Sequence, residues 1–363
     1  MQLPVRWDPD AECPEFERFL AEVLPADCVE PSEEGPGFIW ELLGYCLYSG
    51  NPHHVAVLLF GNGRNGKGAL LRTIERLVGA RNTSSVPLHD LSENRFRTAT
   101  LYGRLLNLAG DLDARWLANT ATFKAITGGD TVQAEHKYGA AFDFTPWALP
   151  VYSTNKAFGS ADSSEGYLAR WVVVPFPNSF LGREDRRLDD RLQRREELEG
   201  VLRRAARALP ALMERGRLPE PESVRAAKHR FITSGDSLRS WLDECCVIDR
   251  DEWTPRTHLW SSYEANSAEG GGLSPRYPKY MLGKREFYNR LAQVGGVTGA
   301  MRRGTDGFKG VRLRTPADRA AEAEVQAQPP VSEARAVPIA EVVAALGGPC
   351  PRCDRVVCAC AGP

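Results

Sequence analysis

The clearest pattern along the chain is an apolar run that turns into a helical periodicity across a glycine-rich segment. The run at 55–60 reads VAVLLF and predicts a buried strand. After the glycines, apolar residues recur at Leu70, Leu71, Ile74 and Leu77, which is the spacing of an amphipathic helix. The pattern therefore predicts a strand, a glycine loop and a helix in direct succession.

Weaker patterns predict further elements on both sides of this unit. Helices are expected within 11–50, at 88–96 and along 183–216, and strands at 104–112, 147–152 and 172–176. Pro150 predicts that its strand is irregular or lies at the edge of a sheet. Alternating segments at 131–134 and 141–145 predict a hairpin. Strands that alternate with helices indicate an α/β core.

The stretch 223–315 is expected to form a second, smaller domain. Asp236 can cap a helix, another helix is predicted at 284–294, and 297–314 fits a hairpin turned at Gly304-Thr305-Asp306-Gly307. Helices followed by a basic hairpin are the layout of a winged helix. The predicted domains are an N-terminal helical domain at 1–52, the α/β core at 53–218, the winged-helix-like domain at 223–315, and a flexible linker with a cysteine-rich tail at 316–363.

Composition narrows the class of protein. The 363 residues are 42% hydrophobic and 26% charged, as in a globular protein large enough for two or three domains. No apolar run reaches about 18 residues, so no membrane span is expected. The acidic start lacks an apolar signal core, which favours a cytoplasmic location and reduced thiols for the nine cysteines.

The net charge of −1 conceals two regions of opposite sign. Residues 1–50 contain eleven acidic side chains and two arginines, whereas residues 276–314 contain ten basic side chains and two acidic ones. The basic stretch predicts a nucleic-acid partner, with a solvated basic face as the alternative. The candidate DNA-binding residues there are Lys284, Arg285, Arg290, Arg302 and Arg303.

The glycine segment has the composition of a phosphate-binding P-loop. Its residues are Gly61, Asn62, Gly63, Arg64, Asn65, Gly66, Lys67 and Gly68. Glycines let backbone N–H groups turn toward an anion, the helix N-terminus adds positive potential, and Lys67 can reach the β- and γ-phosphates of ATP. Gly68 departs from the motif, which has a Mg²⁺-ligating Ser or Thr at this position. Either a carboxylate elsewhere holds Mg²⁺ with waters, or turnover is weak.

Three polar residues at strand ends are candidates for the same chemistry. Asp111 follows a short apolar strand, where it can hold Mg²⁺ and orient a water, and Asp113 is the neighbouring candidate. Asn155 ends the next strand and can hydrogen-bond the γ-phosphate or the attacking water. Arg170 precedes the strand at 172–176, where an arginine can face a neighbouring subunit.

The predicted hairpin carries His136 and Lys137 at its tip. A basic tip with an aromatic neighbour can enter a channel and hold a nucleic-acid backbone. The alternative is an ordinary surface hairpin.

Four cysteines lie close together at the end of the chain. Cys350, Cys353, Cys358 and Cys360 include a CxxC pair, which is a common half of a Zn²⁺ site. The alternative is a disordered tail with free thiols.

Taken together, these motifs resemble those of the viral-type superfamily 3 helicases. The similarity is to the C-terminal helicase part of phage and plasmid primase–helicase proteins and runs from about Pro14 to Arg314. The most specific segments are GNGRNGKG at 61–68, FKAITGGDTVQAEHKYG at 123–139, STN at 153–155 and LARWVVVPF at 168–176.

The resemblance implies an AAA+-like ATPase core in a hexameric ring that translocates on DNA. It makes Lys67 the Walker A lysine, Asp111 the Walker B acid, Asn155 the sensor asparagine and Arg170 an arginine finger supplied across the subunit boundary.

The family pattern also places His136 and Lys137 on the DNA-contacting hairpin. It implies a separate primase as a partner, because no priming activity is expected of this stretch of chain. The cellular setting it implies is a bacterial host, with the chain encoded by a phage, a plasmid or an integrated element.

Three functions are consistent with these motifs. The first is an ATP-driven DNA helicase acting in replication. The second is an ATP-binding replication initiator or adaptor that assembles on DNA without unwinding it, which the Gly68 departure keeps open. The third is a P-loop metabolic kinase, which the motif at 123–139 argues against.

Overall fold

The computed structural model describes residues 2–33, 35–112, 117, 119–160, 162, 164–269 and 282–318. Its α-helices are α1 (Pro14–Val23), α2 (Ala26–Val29), α3 (Phe38–Tyr45), α4 (Lys67–Val78), α5 (Leu88–Glu93), α6 (Arg95–Thr98), α7 (Ala121–Gly128), α8 (Glu165–Ala169), α9 (Leu188–Leu192), α10 (Arg195–Arg215), α11 (Glu222–Gly235), α12 (Ser237–Cys245), α13 (Arg256–Glu269) and α14 (Lys284–Leu291). Its strands are β1 (Ala56–Phe60), β2 (Thr83–Ser84), β3 (Leu106–Ala109), β4 (Val132–Glu135), β5 (Ala141–Phe144), β6 (Leu149–Thr154), β7 (Trp171–Pro175), β8 (Cys246–Pro255), β9 (Thr298–Arg302) and β10 (Thr305–Leu313).

A five-stranded parallel sheet forms the centre of the molecule, in the order β2-β3-β6-β1-β7. Its strands are buried on both faces. Val57 and Leu59 join a core with α1, α3, α4 and α10, whereas Ala56 and Leu58 join a core with α7 and α11. Burial on both sides explains the continuous apolar run of β1. The predicted α/β class is confirmed.

The position of β6 corrects the prediction drawn from Pro150. The strand lies inside the sheet, between β3 and β1, and is buried along its length. The N–H of Leu149 donates to the carbonyl oxygen of Leu105, beside β3. Because successive N–H groups of a strand alternate in direction, an N–H at position 150 would point toward β1. Pairing with β1 begins one residue later, at Val57 and Val151. The proline is tolerated because the hydrogen bond it removes lies just before the β1 ladder.

The predicted N-terminal helices are confirmed, and they pack on the sheet core. α3 is buried along its whole length and lies against α10. At the start of α1, the carboxylate of Glu197 accepts hydrogen bonds from the N–H groups of Glu15, at 3.4 Å, and Phe16, at 3.1 Å. These bonds satisfy N–H groups that the first turn of a helix leaves free. They fix α1 at the side of the glycine loop.

Residues 237–313 form helices and a three-stranded sheet in the order β8-β10-β9. Asp236 caps α12, as predicted, by accepting hydrogen bonds from the N–H groups of Leu238 and Arg239. Strand β8 was not predicted. The elements follow one another as helix, strand, helix, helix, strand, strand.

The turn between β9 and β10 lies earlier than predicted. Arg302 pairs with Thr305, so the turn is Arg303-Gly304, with φ values of 49° and 79°. Two residues with positive φ are the requirement of a type I′ hairpin turn. Gly307 instead lies within β10, where a Cβ atom would be 2.4 Å from the indole ring of Trp253.

The chain divides into two compact units, Met1–Val311 and Arg312–Pro363. In the second, the guanidinium of Arg312 pairs with the carboxylate of Asp318 at 2.6 and 2.8 Å. Among the described residues, none of the helices has the length and apolar character needed to cross a bilayer.

Candidate functional site: a cavity at the carboxyl ends of the parallel strands

The loop between β1 and α4 turns tightly through left-handed backbone conformations. Arg64 and Gly66 have positive φ values of 57° and 93°, and α4 begins at Lys67. A Cβ atom on Gly66 would lie 2.7 Å from Cγ1 of Val23 on α1. Glycine therefore satisfies both the backbone angle and the packing of α1 against the loop. The predicted strand, loop and helix are confirmed, and the helix N-terminus faces a cavity.

The ammonium group of Lys67 is buried and held by oxygen atoms. Its Nζ donates to the carbonyl oxygens of Gly61, at 2.7 Å, and Asn62, at 3.3 Å. It also donates to the side-chain oxygens of Asn65, at 3.0 Å, and Asn155, at 2.8 Å. Burial lowers the pKa of Lys67 to about 8, and the charge of Asp111 opposes this shift. These uncharged oxygens occupy the contacts that an anion would take.

Lys67 from the glycine loop and the two predicted strand-end residues Asp111 and Asn155 line the same cavity. They meet because β3, β6 and β1 are adjacent and parallel, so their carboxyl ends lie at one edge of the sheet. The backbone N–H of Asp111 donates to Oγ of Ser153, at 3.1 Å, which links the ends of β3 and β6. The predicted placement is confirmed; the roles of these residues stay predictions.

Among the carboxylates that line the cavity, Asp111 is the one that follows a strand of the central sheet, where it can hold Mg²⁺. Its φ of 48° is unusual for a residue other than glycine and turns the chain sharply at the cavity. Gly68 contributes no hydroxyl, while Ser84, Ser85 and Ser153 also line the cavity. One carboxylate with waters and phosphate oxygens is a sufficient ligand set for Mg²⁺, so the residues fit the ion. Asp113 lies outside the described residues.

The cavity has a volume of about 820 Å³, within the range of small-molecule sites. Besides the glycine loop, its walls include Phe19 and Val23 of α1 and Phe180 and Leu188 from the segment after β7. The N–H of Phe180 donates to the carbonyl of Arg64, at 2.8 Å. Sequence reasoning missed these apolar walls, because they come from residues distant in sequence and carry no local motif.

Arg170 does not reach this cavity. Its carbonyl accepts from the N–H of Ala56, which places it at the amino end of β1, opposite the glycine loop. Its Nε donates to Oγ1 of Thr127, at 3.0 Å, and its Nη1 donates to the carbonyl of Gly166. An arginine here can serve a nucleotide only if another copy of the chain binds that nucleotide.

The predicted hairpin forms from β4 and β5, and its tip projects an aromatic residue. The Tyr138 side chain is 93% exposed, its φ is 67°, and Nζ of Lys137 lies 5.1 Å from its ring centre. Behind the tip, His136 stacks on Phe142 with a centroid distance of 5.1 Å. The tip is therefore a cation and an exposed ring on an aromatic support.

The candidate cations near the C-terminal sheet differ in exposure. Arg302 and Arg303 are exposed at the turn, and Lys284 and Arg285 are exposed on α14. Arg290 was predicted, with these four, to be a DNA-binding residue. Its side chain is instead 16% exposed and forms an ion pair with Asp236. The reason is that the carboxylate of Asp236, which also caps α12 and lies 3.8 Å from Nε of Arg239, accepts a hydrogen bond from Nη2 of Arg290.

Cys350, Cys353, Cys358 and Cys360 lie outside the described residues, and the Zn²⁺ prediction stays a prediction. In the part of the chain that the structure describes, no group of three or more His, Cys, Asp or Glu side chains could hold a metal.

Comparison with known proteins places the site in a family context. A family model described as "Family of unknown function (DUF5906)" matches residues 59–170, which contain the glycine loop, Asp111, the hairpin, Asn155 and Arg170. The chain is 26% identical over 160 residues to "Putative helicase L207/L206" of Acanthamoeba polyphaga mimivirus, covering 42% of the chain. It is 23% identical over 322 residues to "Putative helicase 121R" of Invertebrate iridescent virus 3, covering 78% of the chain. It spans only 17% and 33% of these two proteins.

Two solved structures of the NrS-1 C-terminal region share the fold. One matches with a TM-score of 0.52 and covers 85% of this chain and 78% of its own. The other has a TM-score of 0.50 and covers 85% and 77%. Both are 14% identical in sequence to this chain. The resemblance to viral superfamily 3-type helicases inferred from the motifs is confirmed, and the mixed α/β fold resembles that of the NrS-1 region.

Proposed function

We propose that this chain is an ATP-dependent DNA helicase of the AAA+-like superfamily 3 type. The observation that carries the proposal is the convergence of Lys67, Asp111 and Asn155 on one cavity at the N-terminus of α4. The helicase names of the two viral relatives support the choice of reaction. Replication of a phage, a plasmid or an integrated element in a bacterial host, with a separate primase as partner, is the setting we propose.

The proposed chemistry assigns each residue a separate task. Lys67 exchanges its oxygen contacts for the β- and γ-phosphates of ATP, and Asn155, which already touches Lys67, orients the attacking water. Mg²⁺, when held at Asp111, would neutralise charge on the phosphate oxygens. Arg170 acts on the transition state in the next copy of a head-to-tail ring, proposed as a hexamer.

DNA is proposed to meet two parts of the chain. The hairpin tip, with His136, Lys137 and Tyr138, would move along a DNA strand as ATP is hydrolysed. The basic side chains would contact phosphates, and the tyrosine ring would stack on bases. The element order of 237–313 is that of a winged helix, with Arg302 and Arg303 on the wing turn and Lys284 and Arg285 on α14. This second surface would anchor the chain to duplex DNA.

A second candidate is an ATP-binding initiator or adaptor that assembles on DNA without unwinding it. The observation that favours it is Gly68, which contributes no metal-ligating hydroxyl. An initiator would bind ATP and DNA and form assemblies, yet leave a forked duplex intact.

Strand displacement on a forked duplex, measured beside DNA-stimulated ATP hydrolysis, tests the proposal. The wild-type chain should do both, and Lys67→Ala should lose both while keeping its fold and most of its DNA affinity. Arg76→Ala is the matched control, because Arg76 lies on α4 with its Nε on Gln193 at 3.1 Å. Hydrolysis without displacement would favour the initiator, and near-normal turnover by Lys67→Ala would contradict the P-loop assignment.

A further inference from the structure

An arginine side chain lies beside the position where the P-loop motif normally has a hydroxyl group. A Cβ atom built on Gly68 would lie 3.1 Å from Nη1 of Arg72 and 3.8 Å from its Cζ. Arg72 is one helical turn further along α4, so its side chain points back toward the helix N-terminus. A Ser or Thr at position 68 would place its hydroxyl against this guanidinium.

The Arg72 side chain is held in this orientation from the outside. Its Nη2 lies 2.8 Å from Oδ2 of Asp189 on α9. Nη1 is the guanidinium nitrogen nearest to Gly68. Arg72 lies between the cavity and a neighbouring cleft and lines both. Arg76, one turn further, lines only the cleft and bonds Gln193. The ion pair with Asp189 therefore engages Nη2 and leaves Nη1 as the nitrogen beside Gly68.

We propose that Arg72 binds the triphosphate directly beside Gly68, and that nucleotide binding by this chain consequently depends only weakly on Mg²⁺. The inference rests on the proposed nucleotide site. In a P-loop with Ser or Thr, that hydroxyl helps to fix Mg²⁺, and the ion neutralises phosphate charge. Here a guanidinium, whose planar fork matches phosphate oxygens, supplies positive charge at the same place. Asp111 remains available for the ion during hydrolysis.

The test is equilibrium binding of a fluorescent ATP analogue to the full chain, with excess Mg²⁺ and with EDTA. Wild type should weaken by less than about fivefold in EDTA. Arg72→Gln should weaken by roughly tenfold or more in EDTA and much less in Mg²⁺, as expected for loss of a charged hydrogen bond. Arg76→Gln should match wild type in both conditions. Gly68→Ser should make affinity more dependent on Mg²⁺, because it adds the missing ligand and displaces the guanidinium.

Each outcome has a separate meaning. If Arg72→Gln and wild type bind alike in EDTA, the role of Arg72 is wrong while the nucleotide site stands. If wild type fails to bind with Mg²⁺ present, the nucleotide site itself is wrong, and this inference falls with it. Thermal unfolding of Arg72→Gln, whose side chain is about half exposed in wild type, should match wild type within a few degrees.

Discussion

The cavity at the N-terminus of α4 and the C-terminal sheet place their cations in different ways. Lys67 is buried, and backbone and amide oxygens fix its ammonium group. Arg302 and Arg303 are exposed at a turn, and Arg290, from the same basic stretch, is bound to Asp236. A cation whose position follows from backbone geometry can be located from a motif. A cation that is predicted to bind a ligand only because its stretch of sequence is basic can instead pair with an acidic side chain of the same chain.

The first prediction tests whether one chain supplies all the residues that ATP hydrolysis at this cavity requires. Arg170→Ala should still bind ATP but hydrolyse it about 10³-fold more slowly or worse, because an arginine finger stabilises transition-state charge. Mixing it with Lys67→Ala should restore part of the activity, since each variant supplies what the other lacks at a shared boundary. Steady-state hydrolysis of the mixture measures this. Mixed assemblies that form, yet stay inactive, would rule out a role across the boundary.

The second prediction concerns the hairpin tip. Lys137→Ala should retain most DNA binding and its salt dependence but lose unwinding, because the tip makes few contacts at once and the ATP cycle moves it. Forked-duplex displacement and filter binding measure the two properties. Gln133→Ala, exposed on the side of the same hairpin, is the control and should behave as wild type. Normal unwinding by Lys137→Ala would show that the hairpin tip has no role in translocation.

The third prediction separates exposed from paired arginines. Replacing Arg302 and Arg303 with Gln should weaken duplex binding and flatten the plot of log affinity against log salt by up to about two units. Arg290→Gln should leave that slope unchanged and instead lower stability by roughly 1.5–3 kcal/mol, through loss of the Asp236 pair. Binding isotherms at several salt concentrations and urea unfolding measure both. A slope change in Arg290→Gln alone would reverse the assignment.

The smallest effect expected is a proton linkage at Lys67. Its pKa is lowered to about 8 by burial, so the free chain loses this proton as pH rises through about 8, well below the usual lysine range. Phosphate favours the charged form, so ATP binding near pH 8.5 should take up a fraction of a proton, and affinity should fall as pH rises further. Calorimetry in two buffers of different ionisation enthalpy measures the uptake. Lys67→Arg, which stays charged, should show none.

How well the sequence predicted the fold depended on the range of the interaction. The unit from β1 to α4 was predictable because Gly66 and the apolar spacing act within a few residues. The interior position of β6 was not predictable, because the order of strands depends on how the chain connects them, and a single proline at position 150 carries no information about that order. The turn at Arg303-Gly304 was missed because a non-glycine residue takes a positive φ there.

The candidate site divides in the same way. Lys67, Asp111 and Asn155 were predicted together, because the carboxyl ends of parallel strands meet at one edge. The walls formed by Phe19 and Phe180 were not, since each is brought to the cavity by tertiary packing. The approach of Arg72 to Gly68 was not predictable either, because helical spacing makes the two residues neighbours but does not fix the direction of the guanidinium.

The length of β1 has a consequence for how activity depends on the amount of protein. The glycine loop follows one end of this five-residue strand and Arg170 lies beside the other, about 16 Å apart at the usual rise per residue. A single chain of the proposed enzyme could bind ATP, but its own Arg170 could not reach that ATP to assist hydrolysis. Specific activity should therefore fall steeply on dilution, while the affinity for nucleotide stays the same. The number of copies of this protein in a cell, and not only the ATP concentration, would then determine when the proposed enzyme is active.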